Sequence, residues 1–342
     1  MIIPTPSPPV RPGRRNSTRP WQALLKEAIR DADELCRVLN LPDDCLAGAA
    51  RAARSFSLFV PRGYAARMRT GDPNDPLLLQ VLPLADELDD SPGFLTDPVG
   101  DREAALTPGL LHKYQGRVLL VTTGACAVHC RYCFRRHFPY AQSPHSLAQW
   151  EPALKQIVSD PSIEEVILSG GDPLMLVDDW LSRLARHLSK TPHVRRLRVH
   201  TRLPIILPER VDAELLKWLR GTRLVPIVVV HANHPTEIGP DVADALTRLV
   251  DAGVTVLNQS VLLRRVNDDV DVLTELYRRL VELRVMPYYL HQLDRVSGAA
   301  HFEVPIETGL RLMAELRKRL PGYAVPRYVR ETPGAEHKEP LT

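Results

Sequence analysis

From residue 118 onward the chain alternates six times between a short apolar run and an amphipathic segment, and this rhythm constrains its fold more than any other feature. The runs 118–122, 165–169, 195–200, 224–230, 254–260 and 285–290 are rich in Val, Ile and Leu. The segments 147–159, 177–188, 208–221, 240–252 and 270–282 lie between them with helical spacing, and a further helix is predicted over 305–320. Near-continuous apolar strands separated by amphipathic helices form parallel sheet covered by helices. Six such units fit either an incomplete barrel or an open, doubly wound sheet.

The placement of polar residues favours the barrel. Thr123-Gly124 and three cysteines follow the first run, and Ser169-Gly170-Gly171-Asp172 follow the second. His200, Thr201 and Arg202 close the third, and His231, Asn233 and His234 follow the fourth. Asn258-Gln259-Ser260 end the fifth, and His291, Gln292 and Asp294 follow the sixth. Barrels build chemistry from several strand ends on one face. An open sheet concentrates it near a single switch point. The predicted fold class is α/β: a partial (β/α)6 TIM-like barrel with an N-terminal helical extension.

The expected organisation has four parts. Residues 1–18 are dominated by Pro, Arg and Ser and read as a flexible arm. Residues 19–110 form a helical and wrapping region. It holds one helix over 21–39, a second over 43–56 capped by Asp43 or Asp44, and a short third that starts at Pro61 and stops at Gly71. The stretch 72–115 reads as mostly loop, with a short helix near 76–82, wrapped over one face of a larger domain. Residues 111–304 form the barrel core, and 305–342 a helix and tail.

Composition excludes several roles. A formal net charge of +3 is near balance, so neither a nucleic-acid nor a membrane surface is expected. The first residues lack the apolar segment of a secretory signal, and no apolar stretch approaches the roughly 18–20 residues of a bilayer span. A cytoplasmic location is expected. Five cysteines do not make a disulfide framework in a chain of this size. Cys36 lies in a helical pattern and reads as a small buried hydrophobe.

The segment Cys126-Ala-Val-His-Cys130-Arg-Tyr-Cys133 carries the chemistry. Soft thiolates select zinc or an iron–sulfur cluster. A structural zinc site needs four ligands. His129 or His137 would have to supply the fourth, since no second cysteine pair follows. A [4Fe–4S] cluster is normally held by four cysteines, so three leave one iron open to chelate the amino and carboxylate groups of a small molecule. The adjacent Arg131, Arg135, Arg136 and His137 suit an anionic ligand. Gly170-Gly171 permits close approach to the backbone, but no dinucleotide fingerprint is present. The different-class alternative is a zinc-stabilised interaction protein.

The C-x3-C-x2-C segment after a strand resembles the radical S-adenosylmethionine superfamily. Together with GLLHKYQGRVLLVTTGACAVHCRYCFRRHFPY, SGGDPL, LRVHTRLPI, VLNQSVLLRRVND and MPYYLHQLDRVSGAAHF, it is similar to the lysine 2,3-aminomutase family over roughly residues 55 to 340. Within that family it most resembles the short form associated with modification of translation elongation factor P. The resemblance implies a [4Fe–4S] cluster, S-adenosylmethionine and pyridoxal 5'-phosphate. Cys126, Cys130 and Cys133 match the cluster ligands. Ser169, Gly170, Gly171 and Asp172 match the segment supporting the methionine part of the nucleotide, with His231 and Gln259 near the same cofactor. Lys338 matches the lysine that carries pyridoxal phosphate, and Arg117 a further contact to it. Arg135 matches the partner of the substrate α-carboxylate. Asp294 and Glu331 match the acidic pair for the lysine ε-ammonium, with Glu331 one methylene longer than the Asp of longer members.

The implied reaction converts L-α-lysine to (R)-β-lysine, with arginine or ornithine as alternative substrates. Free lysine, a flavodoxin- or ferredoxin-type reductant and a functional link to the elongation factor P lysylating ligase are the implied partners. A homo-oligomer is compatible with the family.

Overall fold

The computed structural model describes residues 20–42, 45–144, 146 and 148–342. The arm expected over 1–18, the Asp43 or Asp44 cap and the helix start at 147 lie outside the described residues. Within the described residues, ten strands form one open sheet in chain order. An antiparallel pair, β1 (Ala105–Thr107) and β2 (Leu110–Tyr114), precedes β3 (Arg117–Thr123). Parallel pairing then runs through β4 (Glu165–Gly170), β5 (Arg196–His200), β6 (Val225–His231), β7 (Thr255–Val261), β8 (Met286–His291) and β9 (Arg327–Arg330). The short β10 (Glu339–Pro340) returns antiparallel to β9.

The six expected strands are β3 to β8. The seventh parallel strand, β9, is the four-residue run RYVR with charges at both ends, which offers no apolar signature. Its pairing comes from its neighbour: Leu290 pairs with Tyr328 and His291 with Val329.

Helices cover the sheet where the helical period places their apolar faces. The short α1 (Trp21–Lys26), α2 (Ala32–Val38), α3 (Leu46–Ser55), α4 (Arg62–Ala65) and α5 (Pro76–Leu79) precede the sheet. The crossovers hold α6 (Glu151–Ser159), α7 (Asp178–Ser189), α8 (Leu203–Ile206), α9 (Ala213–Leu219), α10 (Pro240–Asp251) and α11 (Val270–Glu282), and α12 (Ile306–Arg319) leads to β9. α7 buries Leu181, Leu184, Ala185 and Leu188, and α11 buries Leu273, Leu276, Tyr277 and Leu280. This i, i+3, i+4, i+7 pattern is one helical face. Asp269 starts α11 by accepting from the backbone N–H of Asp271 and Val272 at 2.8 and 3.1 Å.

Three helical expectations need correction. The helix expected over 21–39 is two, because Ile29 leaves the helix to pair with Val60 through backbone bonds of 2.8 and 2.9 Å. The helix expected over 208–221 opens as a 3-10 turn, Pro208–Arg210, and α9 begins only after Asp212 accepts from the Leu215 N–H at 2.9 Å. The helix starting at Pro61 ends at Ala65, well before Gly71. The stretch 72–115 carries β1 and β2 besides its loops. Its Leu95 pairs with the chain leaving β8, donating to Arg295 O at 2.8 Å and accepting from Ser297 N at 2.9 Å.

The packing has a measurable consequence. Leu276 is fully enclosed, so Leu276→Ala is expected to lower unfolding free energy by about 2–5 kcal/mol in urea titration. Val158 on α6 is 53% exposed, and Val158→Ala is expected to change it by less than about 0.5 kcal/mol.

Candidate active site

A cavity of about 290 Å³ opens among the carboxyl ends of the parallel strands. All fourteen candidate residues line it: Arg117, the three cysteines, Arg135, Ser169, Gly170, Gly171, Asp172, His231, Gln259, Asp294, Glu331 and Lys338. The chain delivers them from separate strand ends and from the tail.

The cysteine loop follows β3 and is held from outside. Arg131 donates its backbone N–H to Gln80 O at 2.9 Å, and His129 donates its own to Phe59 O at 3.1 Å. The Arg131 side chain, wholly buried, forks onto Glu87 with bonds of 2.7 and 2.5 Å, and Arg136 adds a third at 2.8 Å. The His129 ring faces Ser57 O at 2.8 Å and stacks on Phe56, while His137 meets Ser297 O at 3.1 Å. Neither histidine lines the cavity with the thiols. Within the described residues, no three His, Cys, Asp or Glu side chains already converge as a metal site. Cys130 Sγ accepts a hydrogen bond from Arg202 Nη1 at 2.8 Å. Burial raises the Cys126 thiol well above its usual range and Cys133 to about 11, and neighbouring thiols add to both. A positively charged metal group bound at these sulfurs would reverse this by stabilising the thiolates.

Gly170 and Gly171 are required by the chain's own backbone. A Cβ at Gly170, with φ of +119°, would lie 2.6 Å from Thr123 O, and one at Gly171 would lie 2.4 Å from Ala125 O. Gly171 N–H donates to Thr123 O at 2.6 Å and Asp172 N–H to Ala125 O at 2.8 Å. The end of β4 is thereby sewn to the start of the cysteine loop. The Asp172 carboxylate accepts from Thr201 Oγ1 at 2.7 Å and from Arg202 N–H at 2.7 Å, tying in β5. His231 and Gln259 are ladder partners on β6 and β7. Burial, with Arg202 nearby, lowers His231 to about 3, so the ring is neutral, and its Nε2 lies 3.2 Å from Tyr132 Oη.

Alternating charges cross the cavity wall. Arg135 donates to Asp101 at 2.6 Å and to Ser169 Oγ at 3.0 Å. Asp101 also forms an ion pair with Lys113 at 2.7 Å, Lys113 reaches Glu331 at 3.4 Å, and Glu331 pairs with Lys338. Burial opposes ionisation of Asp101, but Arg135 and Lys113 outweigh it and hold the carboxyl at about 2. Burial likewise opposes the Glu331 charge, and Lys338 and Lys113 overcome it. Asp294 has no such ion pair among the described residues, and burial raises it to about 7 although Lys338 partly offsets this.

Several groups here were not among the sequence candidates. Asp101 and Lys113 come from a stretch read as loop, where nothing marks them. Arg198 on β5 pairs with Glu165 at 2.5 Å, but its Nε is buried without a hydrogen-bond partner among the described residues, as is His200 Nε2. Burial, then Arg198 and Lys338, lower His200 well below the usual range. Alternation along β5 points both residues inward, a signal present in the sequence.

Comparison with known proteins identifies the class. The radical SAM superfamily model matches residues 120–276, the stretch from β3 into α11. The chain is 45% identical over 326 residues to the L-lysine 2,3-aminomutase of Escherichia coli (strain K12), covering 95% of each chain. It is 44% identical to that of Haemophilus influenzae, covering 93% of this chain and 94% of the relative. Against the L-lysine 2,3-aminomutase of Clostridium subterminale, identity is 37%, covering 94% of this chain and 77% of the relative. The chain belongs to the L-lysine 2,3-aminomutase family, and it is an isomerase of the radical SAM class. Within the described residues no helix is long and apolar enough to cross a membrane.

Asp294 binds its proton in the folded chain between the ordinary value of 3.8 and about 7, and releases it on unfolding. This group alone therefore makes the fold less stable as pH rises through that window. Asp294→Asn removes the effect. Its Tm relative to the unsubstituted protein is expected to rise from about pH 5 to about pH 8.

Proposed function

We propose that this chain converts L-α-lysine to (R)-β-lysine in the cytoplasm, using a [4Fe–4S] cluster, S-adenosylmethionine and pyridoxal phosphate, and that the product serves modification of elongation factor P. The observation that carries the reading is charge placement. Arg135 stands on the cysteine loop, while Asp294 and Glu331 stand on the same cavity beside the tail. A zwitterionic amino acid with a distal ammonium needs one cation and one acidic pair at fixed separation.

The donor set fits the proposed groups. Three soft thiols on one loop, with His129 and His137 engaged by Ser57 and Ser297 outside the cavity, suit a cluster with an open iron better than a closed zinc site. The unpartnered Arg198 Nε and His200 Nε2, with Arg117 nearby, suit the anionic phosphate of a cofactor carried by Lys338. When bound, these groups supply the electron, the hydrogen-abstracting radical and the carrier through which an amino group moves from the α- to the β-carbon.

The chain's own residues position and shield. Arg135 receives the substrate carboxylate in a fork already fixed by Asp101 and Ser169. Glu331 receives the ε-ammonium as a carboxylate, and Asp294 completes the pair by releasing its proton when the ammonium arrives. A cofactor carried by Lys338 would release its ion pair with Glu331 and free that carboxylate for substrate. The wrapping segment, buried at Gln80, Glu87 and Asp101, keeps water from the loop side. A flavodoxin- or ferredoxin-type protein supplies the electron.

Anaerobic turnover of the reconstituted protein with lysine, arginine and ornithine tests the reading. β-Lysine of R configuration is expected from lysine alone. Unchanged lysine under conditions that cleave S-adenosylmethionine would defeat it. Asp294→Asn is expected to lower kcat/KM for lysine by about 2–4 kcal/mol in transition-state terms. In the unsubstituted enzyme KM should fall as pH rises toward about 7 and then level off, as expected of a carboxyl raised to about 7. Lys338→Ala should lose the visible absorbance of bound pyridoxal phosphate while retaining iron and sulfide.

A further inference from the structure

Arg202 is a buried cation, 8% exposed, that the proposed reaction does not use directly. It lies just beyond β5, where its backbone N–H is fixed by Asp172 at 2.7 Å. Its Nη2 donates to Gln80 Oε1 at 2.6 Å and to Glu237 Oε2 at 2.9 Å. Its Nη1 donates to Cys130 Sγ at 2.8 Å. Glu237 is itself held: it is fully buried and its Oε1 accepts from the backbone N–H groups of Asn233 and His234 at 2.9 and 3.1 Å. Gln80 Nε2 adds a bond to the same oxygen at 3.2 Å. Tyr132, between two of the loop cysteines, joins this network through Gln80 Oε1 at 3.2 Å and Asn233 Nδ2 at 2.8 Å. The guanidinium is therefore clamped on one side and aimed at a sulfur on the other.

We propose that Arg202, anchored by Glu237 and Gln80, is a positioning residue for the cluster: it orients Cys130 and raises the reduction potential of a cluster held through that sulfur. The proposal rests on the reading of Cys126, Cys130 and Cys133 as cluster ligands. Reduction adds one electron and no proton, so the reduced cluster carries one more negative charge. A hydrogen-bonded cation at a ligand sulfur stabilises that state, and burial strengthens the effect by lowering the local dielectric. Glu237 works in the opposite sense. It anchors the guanidinium but its own charge opposes reduction, reaching the sulfur through Arg202. The two residues therefore make opposite electrostatic contributions while sharing one structural role.

That opposition gives the test. Full-length wild-type, Arg202→Gln, Arg202→Lys and Glu237→Gln proteins are reconstituted anaerobically and titrated with dithionite, which supplies the electron, under EPR detection. Arg202→Gln is expected to shift the one-electron equilibrium about tenfold toward the oxidised cluster, about 59 mV lower in potential. Arg202→Lys should fall between it and wild type. Glu237→Gln should move the potential upward. Potentials equal to wild type in both Gln variants, or shifts of the same sign, would overturn the proposal, since general disruption of the network has no reason to act with opposite signs. If Arg202→Gln fails to take up a cluster, Glu237→Gln decides alone: an upward shift supports the proposal and no shift defeats it. A wild-type protein that binds neither iron nor sulfide defeats the ligand reading itself, and this inference with it.

Discussion

Arg131 occupies the position between Cys130 and Tyr132 with no solvent exposure, and a buried guanidinium demands a partner. Glu87 meets it with two bonds and accepts a third from Arg136. Removing one member of such a pair leaves an uncompensated buried charge, a loss of about 3–5 kcal/mol. Among its described residues the loop between β3 and α6 has no ladder or long helix of its own, so this fork helps to fix its shape. Glu87 belongs to the wrapping segment, and that segment continues through Leu95 to the chain leaving β8. The loop that carries the thiols and the stretch that carries Asp294 are consequently tied to one strap.

The two ends of the cavity are built on different principles. On the cysteine side every charged group is already engaged: Arg135 by Asp101, Asp172 by Thr201 and the β5 backbone, Arg202 by Glu237. Those charges are fixed and orient whatever binds. On the tail side Asp294 has no ion pair among the described residues, and its burial disfavours the charged form and raises the carboxyl to about 7. The chain gives up some potential binding strength in the empty state and recovers it when a cation arrives. Preorganisation thus sits beside the proposed radical chemistry, and adaptability beside the distal end of the proposed substrate.

Much of this was legible in the sequence because it follows from pattern. The six apolar runs gave β3 to β8, and residues at their ends, such as Ser169, Asp172, His200, His231, Gln259 and Asp294, gave part of the cavity lining, while Arg117, Glu331 and Lys338 came from the family resemblance. What escaped was set by tertiary pairing. RYVR is a strand only because β8 offers a free edge, and it positions Glu331 immediately afterwards. Ile29 interrupts a helical period because Val60 offers backbone partners. Asp101 and Lys113 fall in a segment whose local composition says loop, and their roles exist only once Arg135 and Glu331 are brought to either side. The Gly170-Gly171 pair was legible as a close approach, but the approaching backbone is the chain's own cysteine loop.

The alternation of Arg135, Asp101, Lys113, Glu331 and Lys338 also has a consequence at long range. Neighbouring opposite charges offset one another along this row within a few ångströms of the wall, leaving one net positive charge among the five. Long-range attraction is the part of binding that dissolved ions screen over about 8–10 Å. Within the cavity a free amino acid is sorted by whether its charged ends meet the fixed groups on the wall. Selection of this kind tolerates changes in ionic strength, because it is made at contact distances where intervening salt has no room.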